Sequence, residues 1–237
     1  MKVIVGTMYC GEKDLDKSIE SVKEQNYKVE DHFIIKNLPE NEAHYELYNT
    51  FKNSDCDMLL KLDADMVLMN SDVIKNFVNQ IRKGYMMSSF MVNDFYTNRS
   101  LWGIHAYHKN VNIPEKKFFD NKKRLTPDRI GITRKQKITN KKVVAWHCHH
   151  SGEKQSFHFG FHRLLKGQRD RCSEVLGHWK TNFDNINMKY CCLGMLVAYE
   201  RKDMLGYSYG EDFDKIFENN KDRYKNISLK NLRVTKL

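Results

Sequence analysis

The stretch Leu59-Leu60-Lys61-Leu62-Asp63-Ala64-Asp65-Met66-Val67-Leu68 places two carboxylates one residue apart inside an otherwise apolar run. Burying two like charges in such a run is costly. A divalent cation offsets that cost, because it sets its own charge against the carboxylates and can also hold a diphosphate. On a surface strand the same Asp-X-Asp pattern is simply two solvated acids, so its place in the chain decides between the two readings.

Working outward, Asp57 to Leu62 reads as a strand that follows two earlier strand and helix pairs. Lys2 to Met8 is a buried-strand run, and Asp14 to Gln25 is a helix with Ile19 and Val22 on one face and acidic residues near its start. His32 to Ile35 is a second strand, and Glu42 to Phe51 a second helix, with Tyr45, Tyr48 and Phe51 at helical spacing. After the acidic motif, Ser71 precedes a helix from Asp72 to Arg82 that Gly84 ends, and further strands are expected over Tyr85 to Val92, Leu101 to Tyr107 and Val143 to Cys148. Strands alternating with helices predict an α/β fold with a mainly parallel sheet of five or six strands flanked by helices. Ligands of such sheets bind at the carboxyl ends of the strands. From Gln155 onward, Phe157, Phe161, Leu164 and Leu165, and later Leu193, Leu196 and Val197, recur at helical spacing, so the C-terminal part is expected to be mostly helical.

At 237 residues, 41% hydrophobic and 30% charged, the chain is expected to form one globular domain, 1–237. Residues 1–108 would be its ligand-binding half and 109–237 its second half. Disordered and collagen-like polymers are excluded by composition. The N-terminal apolar run is too short for a signal peptide and no segment is long enough to span a membrane, so a cytoplasmic location, open to peripheral membrane attachment, is expected. The six cysteines then read as reduced thiols. The net charge of +10 is concentrated: Lys109 to Lys142 holds 12 Lys and Arg against Glu115, Asp120 and Asp128, a local excess of +9. Such a stretch suits an anionic partner, whether a nucleotide diphosphate, an anionic acceptor, a phospholipid surface or a nucleic acid, and also suits a solvated basic loop.

Over roughly Met1 to Phe90 the sequence resembles the GT-A glycosyltransferases, especially their family 2-like members. The matching features are the opening strand ending Gly6-Thr7-Met8-Tyr9, the helix with Ser18-Ile19-Ser21-Val22, and Leu62-Asp63-Ala64-Asp65 followed by a helix. The resemblance implies a GT-A fold and a nucleotide-sugar donor, a UDP-sugar first of all, with Mn2+ or Mg2+ as cofactor. It also implies Asp65 as main metal ligand, Asp63 assisting through ribose or metal, and Thr7 and Tyr9 against the nucleoside. Many members carry a base-reading Asp after the second strand; here Lys36-Asn37-Leu38-Pro39 stands there, which makes Asn37 the donor-side candidate and leaves the base unassigned.

A second cluster, Trp146-His147-Cys148-His149-His150 with His158 and His162, puts five of the chain's ten histidines within sixteen residues. The resemblance implies that a His beyond the acidic motif completes the metal site. On a strand, His147 and His149 share one face, which makes His147 the first candidate and His149 the second. His158 and His162, at i and i+4, sharing a metal with Cys148 or His149, raise a structural zinc site as an alternative. Arg163 and Lys166 are candidates for meeting the leaving diphosphate.

An inverting transfer needs a carboxylate base for the acceptor hydroxyl. Asp128 and Asp94 are the candidates, with Asp120 and Glu153 also open. Phe95-Tyr96 and Leu101-Trp102-Gly103 are candidates for a stacking wall under a glycan or lipid-linked acceptor. Two rival readings remain. One is a nucleotidyltransferase, for which the loop after the first strand has too few glycines and basic residues. The other is a nucleic-acid binder using Lys109 to Lys142 with Phe118 and Phe119, which would leave Asp63 and Asp65 unexplained.

Overall fold

The computed structural model describes residues 1–119, 130, 132–201 and 213–228. The described residues form two compact units. One holds Met1–Asp94 and the described residues from Arg99 to His150; the other holds Phe95–Asn98 and the described residues from Ser151 on.

The first unit is an α/β fold. Its strands are β1 (Val3–Tyr9), β2 (Asp31–Lys36), β3 (Met58–Asp63), β4 (Met66–Leu68), β5 (Met87–Asp94), β6 (Arg99–His108) and β7 (Lys137–His147), hydrogen-bonded in the order β2-β1-β3-β6-β5-β7-β4. Helices α1 (Leu15–Lys23), α2 (Glu40–Asn53) and α3 (Val73–Ile81), with the single turn α4 (Lys116–Phe119), lie on its chain connections. Both faces of the sheet are covered, which is why β1 and β3 read as nearly unbroken apolar runs. Val3, Val5, Met58, Leu60 and Leu62 enter one core with Val22 of α1 and Ile74, Phe77 and Val78 of α3. Ile4 and Leu59, pointing the other way, enter a second core with Leu47, Tyr48 and Phe51 of α2.

The β2-β1-β3 portion is parallel, as its βαβ spacing predicts. Beyond it the sheet is mixed: β6 runs antiparallel to both β3 and β5, β7 runs parallel to β5, and β4 runs antiparallel to β7. β5 and β6 are joined by Phe95–Asn98, too short for the crossover that a parallel pair requires, so they form a hairpin-like pair. The three-residue β4 was not anticipated, because Met66-Val67-Leu68 looks like the tail of the preceding strand.

The strand order forces a bend. From β3 to β4 there are four strand spacings, about 19 Å in a flat sheet, yet Asp63 and Met66 are three residues apart and span at most about 11 Å. The sheet therefore curls until its β4 edge comes back toward the end of β3. Register shifts at Phe90/Met91 and Met91/Val92 of β5 supply part of the bend. Two serines of α1 let the helix sit close over β4, and the Ser21 hydroxyl accepts the Leu68 N–H at 3.1 Å.

The second unit is helical among its described residues: α5 (Glu153–Leu165), α6 (Arg169–Thr181), α7 (Ile186–Glu200) and α8 (Phe213–Asn220). Its core is aromatic, with Phe157 against Phe161, Phe213 and Phe217. α5 and α7 meet through glycines. A Cβ on Gly160 would land on the Cys191 carbonyl oxygen, and one on Gly194 would land on the Phe157 carbonyl oxygen. No helix of the described residues is long and apolar enough to cross a membrane, and all six cysteines are thiols.

Candidate active site

The curl brings together side chains 83 residues apart. Asp65 lies in the two-residue connection between β3 and β4, and His147 is the last residue of β7. In the sheet, His147 is paired on one side with Met66 of β4 and on the other with Asp94 of β5. Its ring is engaged on both nitrogens: Nδ1 is 2.7 Å from Asp94 Oδ1, and Nε2 is 3.6 Å from Asp65 Oδ2. With the Nδ1 proton on the Asp94 bond, Nε2 presents its lone pair toward Asp65.

Cys148 follows in the left-handed region at φ 61°, where a non-glycine side chain is uncommon and energetically costly. Its N–H donates to the Asp65 carbonyl at 3.0 Å. Its thiol donates to Asp65 Oδ2 at 3.1 Å and lies 3.4 Å from His147 Nε2. The carboxylate of Asp65, the imidazole of His147 and the sulfur of Cys148 thus all lie within 4.8 Å of one another, and among the described residues they are the group that could hold a metal ion.

That turn ends the strand and breaks the alternation on which the pairing of His147 with His149 rested. His149 Nε2 lies 3.1 Å from Asn93 Oδ1, its ring packs edge-on to Trp146, and it is not one of the trio. Burial first, and then the charge of His150, holds its pKa below the ordinary value. His150 pairs with Asp14 at 3.0 Å, and the Asp14 carboxylate also accepts the His150 N–H, tying the start of α1 to the chain after β7.

Asp63 is outside the trio as well. Lys61 and Asp63 share one face of β3 two residues apart, and the nearly buried ammonium meets the Asp63 carboxylate at 2.7 Å. Burial pushes the Asp63 carboxyl up, but Lys61, by charge and hydrogen bond, with smaller help from His147 and His44, holds it below its ordinary value. Asp63→Asn is expected to cost about 1–2 kcal/mol of stability, because it strips a buried lysine of its counter-charge. It should weaken metal affinity far less than a change at Asp65; denaturant melts and metal titration of the two variants check this.

The donor-side candidates divide. Thr7 is fully covered, with its hydroxyl 2.9 Å from His32 Nε2, so it serves the sheet and offers no atom to a ligand. Tyr9 stands one residue beyond the Met8–Asp63 pair. Asn37, in the left-handed region at φ 55°, donates its N–H to the Tyr9 carbonyl at 2.9 Å. Arg163 and Lys166 belong to the helical unit, where the Arg163 guanidinium lies over Phe159 and bonds Gln168. His158 and His162 stand together on α5 with ring centroids 5.3 Å apart. Burial, then Lys166 and neighbouring charge, lowers the pKa of His158 to about 4 and holds His162 well down too, as packed neutral rings require.

Of the base candidates, Asp94 is 0% exposed and committed to His147, so it orients that ring and cannot meet an acceptor. Asp128 and Asp120 lie outside the described residues, and Glu153 opens α5. Tyr96 is fully buried, with its hydroxyl on Ser156, and Phe119 is buried against Tyr45 and Tyr48, which removes both as stacking surfaces. Trp102 and Trp146 are each 43% exposed. Trp146 lines a cleft of about 190 Å3 together with Asp65, Val67, His149 and Lys17.

Glu12, in the loop after β1, was not singled out from the sequence; nothing marks it there beyond its place after a strand. It accepts the Cys10 N–H at 2.6 Å. Its carboxyl is pushed up to about 7, by burial first and then by Asp65 and Asp63, against the Cys10 N–H. From its ordinary 4.5 up to about 7, the folded chain therefore holds more protons than the unfolded one. Stability present below that window is lost as pH rises through it, by of order 2 kcal/mol. Glu12→Gln is expected to be more stable than wild type by that amount at pH 8 and equal to it at pH 4.5, in urea melts at the two pH values.

No family model matches the sequence, and no curated protein matches it. Several solved structures do. A mannosyltransferase from Pyrobaculum calidifontis in complex with GDP-Man and Mn2+ is 10% identical at a TM-score of 0.45, over 99% of this chain and 85% of that one. Residues 1–349 of TarS from S. aureus, in complex with UDP-GlcNAc, are 10% identical at a TM-score of 0.43, over 95% and 90% of the two chains. A CMP:2-keto-3-deoxy-manno-octonic acid synthetase complexed with CTP is 9% identical at 0.39, over 61% and 91%. Likeness at this level decides no activity, and the functional reading rests on the site itself.

Proposed function

We propose that this chain is a metal-dependent glycosyltransferase that moves a sugar from a nucleotide-diphosphate sugar, UDP-linked in the first instance, onto an acceptor. The observation that carries the reading is the meeting of Asp65, from the acidic motif, with His147, backed by a buried Asp94, at the carboxyl end of the β1-β3 pair. Two ligands of opposite charge preference, one of them oriented from behind by a carboxylate, fit a divalent cation better than they fit a structural ion pair. A bound Mn2+ or Mg2+ would supply charge neutralisation for the departing diphosphate.

The chain's own residues do the rest. Asp94 fixes the His147 tautomer and ring plane. Lys61 keeps Asp63 ionised beside the strand end, where it can accept from ribose hydroxyls. Tyr9 and Asn37 shape the nucleoside side, and the exposed indole of Trp146 gives the sugar or acceptor a flat apolar face beside Asp65. Asp128 stays the candidate for the base by chain position alone. The nucleotidyltransferase alternative loses ground because the loop after β1 carries Glu12, whose carboxyl the charges of Asp65 and Asp63 help push up, where a phosphate loop would present amides and a lysine. The test is calorimetric titration of UDP, GDP and CMP with Mn2+ and with chelator. Metal-dependent binding of one nucleotide is expected; no binding of any would sink the reading.

A further inference from the structure

We propose that Cys148 is the third protein ligand of this metal site, bound as a thiolate, and that the site consequently takes zinc-class ions such as Zn2+ and Co2+ in preference to Mg2+. The inference rests on the reading of Asp65 and His147 as metal ligands and goes beyond it to the identity of the ion.

Three observations converge. The first is the shape of the trio. Tetrahedral bonds of about 2.0–2.3 Å to oxygen, nitrogen and sulfur put ligand atoms about 3.3–3.7 Å apart. The Asp65–His147, His147–Cys148 and Cys148–Asp65 edges are 3.6, 3.4 and 3.1 Å. Two edges fall in that range and the third, drawn in by the thiol's hydrogen bond to Asp65, is about 0.2 Å short of it, so the triangle is close to one face of a coordination tetrahedron whose fourth vertex is left for a substrate oxygen, the pattern of three protein ligands and an open position found in catalytic zinc sites.

The second is the buried Asp94 on the far nitrogen of His147 at 2.7 Å, which is the outer-shell arrangement that orients a metal-binding imidazole. The third is the backbone of Cys148. Holding a β-carbon at φ 61° is costly, and the conformation turns a side chain that would otherwise follow the strand's alternation toward Asp65 and His147.

Chemically, the bonding balances without a redox step. The thiol proton now directed at Asp65 Oδ2 passes to solvent, the sulfur lone pair forms the metal–sulfur bond, and no oxidation state changes. Hard Mg2+ avoids thiolate and prefers a near-octahedral oxygen shell, whereas Zn2+ and Co2+ accept a mixed sulfur, nitrogen and oxygen set.

The test uses the full chain, stripped with chelator and titrated with Co2+ without oxygen. One equivalent should produce an intense near-ultraviolet sulfur-to-cobalt charge-transfer band. Stoichiometric Zn2+ should abolish the band, and a large excess of Mg2+ should leave it. Cys148→Ser keeps the other five cysteines, so loss of the band in that variant, with Co2+ affinity down about 100-fold or more, assigns the sulfur; removing even outer-shell partners costs 10–100-fold. If Cys148→Ser does not fold, X-ray absorption of the Zn2+-loaded wild type decides, with one sulfur expected at about 2.3 Å. Co2+ binding without the band, a band unchanged in Cys148→Ser, a zinc shell of oxygen and nitrogen alone, or no binding at all would each overturn the proposal. The band without any nucleotide binding would sink the glycosyltransferase reading alone, and nucleotide binding with Mn2+ but no band would sink this inference alone.

Discussion

Asp65→Ala is expected to abolish metal-dependent nucleotide binding and to lower sugar transfer by about 100- to 1000-fold, with the fold intact. The carboxylate is the one acidic member of the trio, 3.6 Å from His147 Nε2 and 3.1 Å from the Cys148 sulfur. Its removal leaves an imidazole and a thiol with no fixed negative charge between them. Losses of about 3–4 kcal/mol are usual when one preorganised charge-stabilising group is deleted, and each 1.36 kcal/mol is tenfold in rate. Calorimetry with the cognate nucleotide in Mn2+ gives the binding arm and a radiolabelled-donor transfer assay gives the rate. Binding that survives Asp65→Ala would place the metal, or the donor, elsewhere.

The largest expected loss of stability belongs to the helical unit. Gly160→Ala drives a methyl group into the Cys191 carbonyl oxygen, which is fixed in the backbone of α7, and Gly194→Ala does the same to the Phe157 carbonyl of α5. Neither oxygen can swing aside as a flexible side chain would, so the helices must separate and give up packing along their length. The better helix propensity of alanine returns only about 1 kcal/mol. A net cost of about 3 kcal/mol or more follows for either variant. Gly177, in α6, has open space where its Cβ would go, so Gly177→Ala should stabilise by up to about 1 kcal/mol. Denaturant melts of the three variants test the contrast; a Gly160→Ala chain as stable as wild type would mean that α5 and α7 are not in backbone contact.

What the sequence discloses here follows from how local the cause is. Apolar runs and helical spacing place five of the seven strands and the helices α1, α2, α3 and α5 near their observed bounds, and catch the end of β7 while missing its first six residues, because burial on both sheet faces and amphipathic periodicity are written residue by residue. The pairing of Asp65 with His147 is different, since it comes from the curl, which comes from strand order, and no window of sequence contains it. The exclusion of His149 from the trio depends on a left-handed cysteine, and nothing in Trp146-His147-Cys148-His149 signals such a turn. Asp94 was noticed as a carboxylate after a strand, and only the parallel register of β5 with β7 shows that it faces a histidine and not solvent. Lys61, which the sequence gives no role, is the counter-charge of Asp63.

The short strand β4 pairs with β7, and this sets the order in which the site can come into being. A nascent chain of 136 residues already carries Asp65, yet has neither His147 nor Cys148. During synthesis the acidic motif is therefore only a solvated carboxylate pair, with little hold on a metal ion. The Asp65–His147–Cys148 geometry forms only when the last strand docks between β5 and β4, a closure of long sequence separation and so a late event in folding. Under the proposed function, a truncated or half-folded chain would hold neither metal nor nucleotide sugar, and the appearance of metal affinity would report that the sheet has closed.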